Sequence, residues 1–133
     1  MRRARIVVTS VVLATVALAI GACGSRSQPP SKATGADYDA LVQEGRPLFS
    51  ATCARCHGGD LKGSPYGPPL LDAAYRPAHH SDAAFENAVR HGVKPHHWNF
   101  GPMPPIGTAE VSDAQLRAII AYVRAEQEKV GIR

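Results

Sequence analysis

The chain has 133 residues, with 15 lysines and arginines against 11 aspartates and glutamates, a formal charge of +4. This is enough for one domain. The excess charge is not a basic surface: three arginines fall in the first five residues, and from Cys23 onward twelve basic residues face eleven acidic ones. A nucleic-acid binder, whose basic stripe belongs to the folded domain, is thereby excluded.

The first 22 residues read as an export leader. Arg2, Arg3 and Arg5 make a positive start, and Ile6–Ile20 is apolar apart from Thr9, Ser10 and Thr15. From Ile6 to Ala22 the run is 17 residues, at the short limit for a membrane span. It ends in Ile20-Gly21-Ala22-Cys23, which resembles the bacterial lipobox, with Ile20 where leucine is usual. The expectation is a lipoprotein-type signal peptide over 1–22, lipidation at Cys23 and an extracytoplasmic, lipid-anchored product. An acylated, lipid-bearing cysteine would hold the chain stably at a membrane. Residues 23–36, rich in Ser, Pro and Gly, read as a linker, and residues 37–133 as the domain.

Within the domain three helices are predicted. In Asp37–Thr52 a helical period places Tyr38, Leu41, Val42, Gly45, Leu48, Phe49 and Thr52 on one face. Pro47 interrupts this segment and predicts a kink or a helix in two pieces, since it lacks an N–H and crowds the carbonyl of Gln43. Ser81–His91 is shorter, with Ser81 as cap, Phe85, Ala88 and Val89 inward and Gly92 at its end. The last helix is marked by a Ser112/Gln115 capping box and a Val111/Leu116 staple. Leu116, Ile119, Ile120 and Val123 form its apolar stripe, which runs out near Gly131. Residues 58–69 and 92–107 are Gly/Pro-rich, and no segment has a sustained period of two. The fold class is therefore all-α with long loops, which such a domain tolerates when they wrap a large ligand. Only 25 large apolar or aromatic side chains lie beyond residue 22. A core this thin needs a staple, a metal or a prosthetic group.

Three cysteines are too few for a disulfide scaffold. Two of them stand in Cys53-Ala54-Arg55-Cys56-His57, the C-x-x-C-H pattern of c-type haem attachment. Thiols three positions apart near a helix end reach the two vinyl groups of one porphyrin edge, and the histidine that follows offers its imidazole to the iron. A thioredoxin-like redox pair would need a βαβ setting that is missing here. A zinc site needs four ligands, and the motif supplies three. For the second axial position, Met1 lies in the leader, which leaves Met103 in Gly101-Pro102-Met103-Pro104-Pro105. His79, His80, His91, His96 and His97 remain open as alternatives, and bis-histidine ligation would lower the potential. The pairs His79-His80 and His96-His97 also leave open a copper or zinc site.

The domain resembles the class I cytochrome c family over most of residues 37–133. The likeness rests on Gly45 and Phe49 ahead of the motif, on His57-Gly58, on Gly67-Pro68-Pro69-Leu70 and on Tyr122 in the last helix. It implies a fold of three or more helices around one covalently attached haem c. It further implies that the Pro68 carbonyl accepts from His57 Nδ1–H, that Leu70 packs on the haem face, and that Tyr122 meets the first helix near Gly45. The family's ligand methionine sits in a Pro-flanked loop before the last helix, where Met103 is. Trp98, near a propionate, and Phe100 would border the crevice. Lys62, Arg76, Arg90 and Lys94 are candidates for a docking rim.

The function expected is a membrane-anchored, extracytoplasmic one-electron carrier, working with donor and acceptor proteins in a respiratory or other redox chain. It would not itself be an enzyme. The alternative is an electron-transfer subunit of a redox enzyme, or a haem sensor or enzyme with an open distal site.

Overall fold

The computed structural model describes residues 35–133. The leader 1–22, Cys23 and the linker as far as residue 34 lie outside the described residues. Among the described residues four helices run in chain order: α1 Gly35–Thr52, α2 Ala54–His57, α3 Asp82–His91 and α4 Asp113–Lys129, with a 3-10 turn at Ala73–Tyr75 between α2 and α3. Among the described residues there is no strand, only isolated bridges between Ser64 and Gly67 and between Val93 and Met103. The all-α expectation holds. Among the described residues no helix is long and apolar enough to cross a membrane. α1 begins at Gly35, so Gly35 and Ala36, read from composition as linker, are helical.

The expectation of a two-piece helix at Pro47 is not met. α1 continues through Pro47 to Thr52. Pro47 and Gln43 are both exposed, so the carbonyl that Pro47 cannot serve faces water. The break falls instead at Cys53, where α1 gives way to the single turn of α2.

α1 packs chiefly on α4. Phe49, 1% exposed, meets Tyr122 with ring centroids 5.6 Å apart. Around this pair close Leu70, Val111, Leu116, Ile119, Ile120 and Val123. Both cap expectations are met: Ser81 accepts from Ala84 N–H, and the reciprocal Ser112/Gln115 box is present.

A polar framework that the sequence does not announce ties α4 to the loops. Gln127 is completely buried and donates from Nε2 to the Leu70 carbonyl at 2.8 Å. Arg124 donates to Asp82 Oδ1, the Tyr75 carbonyl and Gln127 Oε1, each at 2.7 Å, and also to the His80 carbonyl. Its guanidinium lies 4.6 Å from the Phe85 ring centroid. Arg124→Met keeps the aliphatic stem but strands these acceptors. At roughly 1–3 kcal/mol for an unmet buried partner, the expected loss is about 2–4 kcal/mol. That corresponds to a fall in melting temperature of roughly 10 °C or more, read by circular dichroism of the intact protein. A shift under about 3 °C would remove Arg124 from the framework.

Candidate functional site

The break between α1 and α2 places the motif. Cys53 N–H still donates to the Phe49 carbonyl at 2.8 Å, so the first cysteine is set by α1. Its own carbonyl accepts from Cys56 and His57 N–H at 3.1 and 3.0 Å, which starts the turn that carries the other two side chains. The following loop folds back on this turn. Ser64 Oγ donates to the Cys56 carbonyl at 2.7 Å, and Gly63 N–H to the His57 carbonyl at 2.8 Å. Gly58 has φ +79°, and a Cβ there would lie 2.6 Å from the Gly63 carbonyl oxygen, so both backbone freedom and lack of a side chain are used.

Cys53, Cys56 and His57 line one side of a cavity of about 710 Å³, well within the usual range for cofactor sites, roughly 300–1,000 Å³. Leu70, Ile120 and Val123 contribute apolar wall, and Met103 borders the same space. The cysteines are not disulfide-bonded. Burial, with Cys56 beside it, pushes the Cys53 thiol up to about 11. A redox or nucleophilic C-x-x-C needs the opposite shift, toward roughly 3.5–7.5, and the βαβ setting of a thioredoxin-like pair is absent among the described residues.

His57 Nδ1 stands 3.0 Å from the Pro68 carbonyl oxygen. A carbonyl can only accept, so Nδ1 carries the proton and Nε2 is left with its lone pair. Burial lowers the His57 pKa, partly offset by this hydrogen bond, and the net lowering favours the neutral ring. A neutral imidazole with a tied Nδ1–H is the form that ligates a metal. The contact that the family resemblance implied between Pro68 and His57 is thus present in the fold. Leu70, 7% exposed, is part of the core.

The Met103 loop is pinned at several points. Val93 and Met103 exchange backbone hydrogen bonds of 3.0 and 2.9 Å, and Ile106 N–H donates to the Val89 carbonyl at 2.7 Å. Gly92 has φ +75°, and a Cβ there would stand 2.7 Å from the Met103 carbonyl oxygen. This glycine ends α3 and also lets the loop approach it. Arg90, a candidate for the docking rim, is turned inward instead. It donates to the Ile106 carbonyl at 3.0 Å and pairs with Asp113 at 2.8 Å, so it braces the Met103 loop. Lys62, Arg76 and Lys94 are exposed.

Trp98 and Phe100 both line the cavity. Trp98 stacks on Tyr75 at 5.5 Å and 13°. Tyr75, which sequence reasoning passed over, is a wall residue whose hydroxyl is pushed up to about 12 by burial and Asp72. Only its place in a 3-10 turn, capped by Asp72 (Oδ1 accepting from Ala74 N–H), brings it there. The two histidine pairs also converge: His79, His80, His96 and His97 lie together beside Trp98. Desolvation and the neighbouring imidazoles lower the pKa of His79 and His97.

The donor set fits a covalently held haem. It has two thiols from one turn, an imidazole with a single free nitrogen, an apolar cavity of suitable size and a thioether in the wall. A sequence model of the family described as "Cytochrome C oxidase, cbb3-type, subunit III" matches residues 30–123. The chain is 30% identical to the "Cytochrome bc1 complex cytochrome c subunit" of Corynebacterium diphtheriae, over 92% of this chain and 44% of that protein. It is 33% identical to the protein of the same name in Mycobacterium tuberculosis strain H37Rv, over 93% of this chain and 43% of that one. It is 31% identical to "Cytochrome c-551" of Bacillus subtilis, over 62% of this chain and 73% of that protein. The chain thus spans less than half the length of these bc1-complex relatives.

Proposed function

The chain belongs to the cytochrome c family as a monohaem class I domain with covalently bound haem c, and from that premise we propose that it is an extracytoplasmic, lipid-anchored one-electron carrier of a respiratory chain. Haem c supplies an Fe(II)/Fe(III) couple. The chain's own residues do the rest. Cys53 and Cys56 would hold the porphyrin edge through thioethers, and His57 would ligate the iron through Nε2. Met103 would supply Sδ as the second ligand, and a thioether ligand raises the potential relative to a second histidine. The pinned, Pro-flanked loop keeps that thioether in place with little ordering cost. Leu70, Trp98 and the apolar wall exclude water from the ring. With His57 and Met103 both on the iron, no site would remain for a substrate on the metal, and function would reduce to a potential and a docking surface with short-lived contacts.

The observation that carries this reading is the placement of His57, whose Nδ1 lies 3.0 Å from the Pro68 carbonyl oxygen. Its Nδ1–H is committed to the Pro68 carbonyl, which leaves Nε2 for a metal in the cavity that both cysteines line. The bc1-complex relatives support a place in a respiratory chain. Anchoring through Cys23 would concentrate the domain near membrane redox complexes.

Met103→Ala tests the axial assignment. The expected result is an open sixth position, seen as a high-spin spectrum that shifts with carbon monoxide, together with a lower midpoint potential. An unchanged low-spin spectrum would assign the second ligand elsewhere and favour one of the histidines. Wild-type protein should titrate reversibly with one electron and ignore carbon monoxide, whereas carbon monoxide binding to the wild type would favour a sensor or enzyme. Cys23→Ala should abolish incorporation of labelled lipid. Labelling that persists in the variant contradicts the anchor.

A further inference from the structure

We propose that His79, His80, His96 and His97 form a second metal site, separate from the haem iron, that binds one divalent transition ion of the zinc class. One nitrogen from each ring can be chosen so that all four lie within 4.8 Å of one another. His79 Nε2 and His97 Nε2 are 3.2 Å apart. In a tetrahedral zinc site with Zn–N of about 2.0–2.1 Å, neighbouring nitrogens are separated by roughly 3.3 Å, so one edge of the tetrahedron is already formed. The His96 and His97 rings are 4.2 Å apart, and His80 stacks on His96 at 5.5 Å and 23°.

His80 shows the outer-shell arrangement that ligating histidines adopt. Its Nδ1 lies 2.7 Å from the Ala74 carbonyl, which fixes the proton on Nδ1 and leaves Nε2 free. The backbone under it is held as well, because Arg124 donates to the His80 carbonyl. A simple hydrogen bond between two surface imidazoles would account for His79 and His97 alone. It does not account for four rings brought together from two separate loops, one of them oriented through its far nitrogen. Four imidazoles without carboxylates suit zinc or copper(II) and do not suit magnesium or calcium. Arg76 adds a nearby positive charge that opposes the cation, and neutral imidazole ligands must outweigh it.

The site's position gives it a consequence. His79 and His80 precede α3, while His96 and His97 belong to the loop that leads to Met103. His80, His96 and His97 also border the haem cavity. An ion there would join the two loops across the cavity rim and stiffen the segment carrying Met103. This does not require Met103 to be the iron's second ligand, only that none of these four histidines is.

The test is calorimetric titration of Zn²⁺ into untagged, haem-loaded protein at pH 7.5. Zinc is chosen because it cannot exchange electrons with haem. The expected result is one ion per chain, a melting temperature raised by the ion, and affinity lowered at least 100-fold in both His79→Gln/His80→Gln and His96→Gln/His97→Gln. The second variant decides if the first perturbs the Ala74 contact, since His96 and His97 are exposed. X-ray absorption at the zinc edge should show four nitrogen neighbours at about 2.0 Å. Weak binding of several ions, no binding, or a loss under 100-fold in His96→Gln/His97→Gln would overturn the four-ligand site. So would a changed haem spectrum in that variant, which would place one of these rings on the iron.

Discussion

Cys53→Ser combined with Cys56→Ser is expected to yield a chain that is exported but neither pigmented nor stably folded. The cavity that the motif lines is about 710 Å³, set among walls that include Phe49, Leu70 and Val123, all buried. At roughly 24 cal/mol per Å³ of unfilled core, even a third of that volume costs about 6 kcal/mol. The net stability of a small domain is about 5–15 kcal/mol. With so few large side chains available, collapse of the walls cannot repair the deficit. The double variant should therefore show little helical circular dichroism, no cooperative melting transition and rapid proteolysis. A protease-resistant, cooperatively melting apoprotein would contradict the claim that haem completes the core.

Gly45→Ala is expected to destabilise the haem-loaded protein by about 2 kcal/mol or more, and Gly45→Val by more still. Two effects oppose each other. Alanine in a helix interior is favoured over glycine by roughly 0.5–1 kcal/mol. Against this, a Cβ at Gly45 would lie 1.9 Å from the Ala118 carbonyl oxygen, 2.5 Å from its carbon and 2.9 Å from Tyr122 Cβ. The obstacle is mostly backbone, so no rotamer change relieves it and α1 must move away from α4. Overpacking of this kind costs about 1–3 kcal/mol, occasionally more; here the main helix pair itself is forced apart, so a cost at the top of that range, about 3 kcal/mol or more, leaves about 2 kcal/mol net of the helix gain. The melting temperature should fall by roughly 8–16 °C. A fall under about 3 °C would mean that α1 and α4 adjust without loss, and that the close crossing is not a structural requirement.

What the sequence disclosed was mostly local. Ser81, Gly92 and the Ser112/Gln115 box mark helix ends because caps act over three or four residues. C-x-x-C-H is legible because its chemistry is confined to one turn. Gly45 with Tyr122, and Pro68 with His57, are long-range contacts, and family likeness rather than pattern pointed to them. Other features were hidden for physical reasons. Pro47 is tolerated because its side of α1 faces water, which periodicity does not price. Arg90 and Arg124 resemble any surface arginine in sequence, yet each is aimed at backbone carbonyls by tertiary packing. The histidine pairs are separated by sixteen positions, and their convergence depends on how the loop before α3 meets the loop before Met103. Tyr75 reaches the cavity only through a 3-10 turn too short to leave a period.

The two thioethers by which Cys53 and Cys56 would hold one haem are the centre of the account, and peptide mass spectrometry reads them most directly. Protein matured outside the cytoplasm is extracted with acid–acetone, digested and analysed for the fragment spanning Cys53–His57. The account predicts one haem on that fragment, with no free thiol at Cys53 or Cys56. A colourless fragment with two unmodified thiols, or pigment removed by the acid–acetone step, would contradict it.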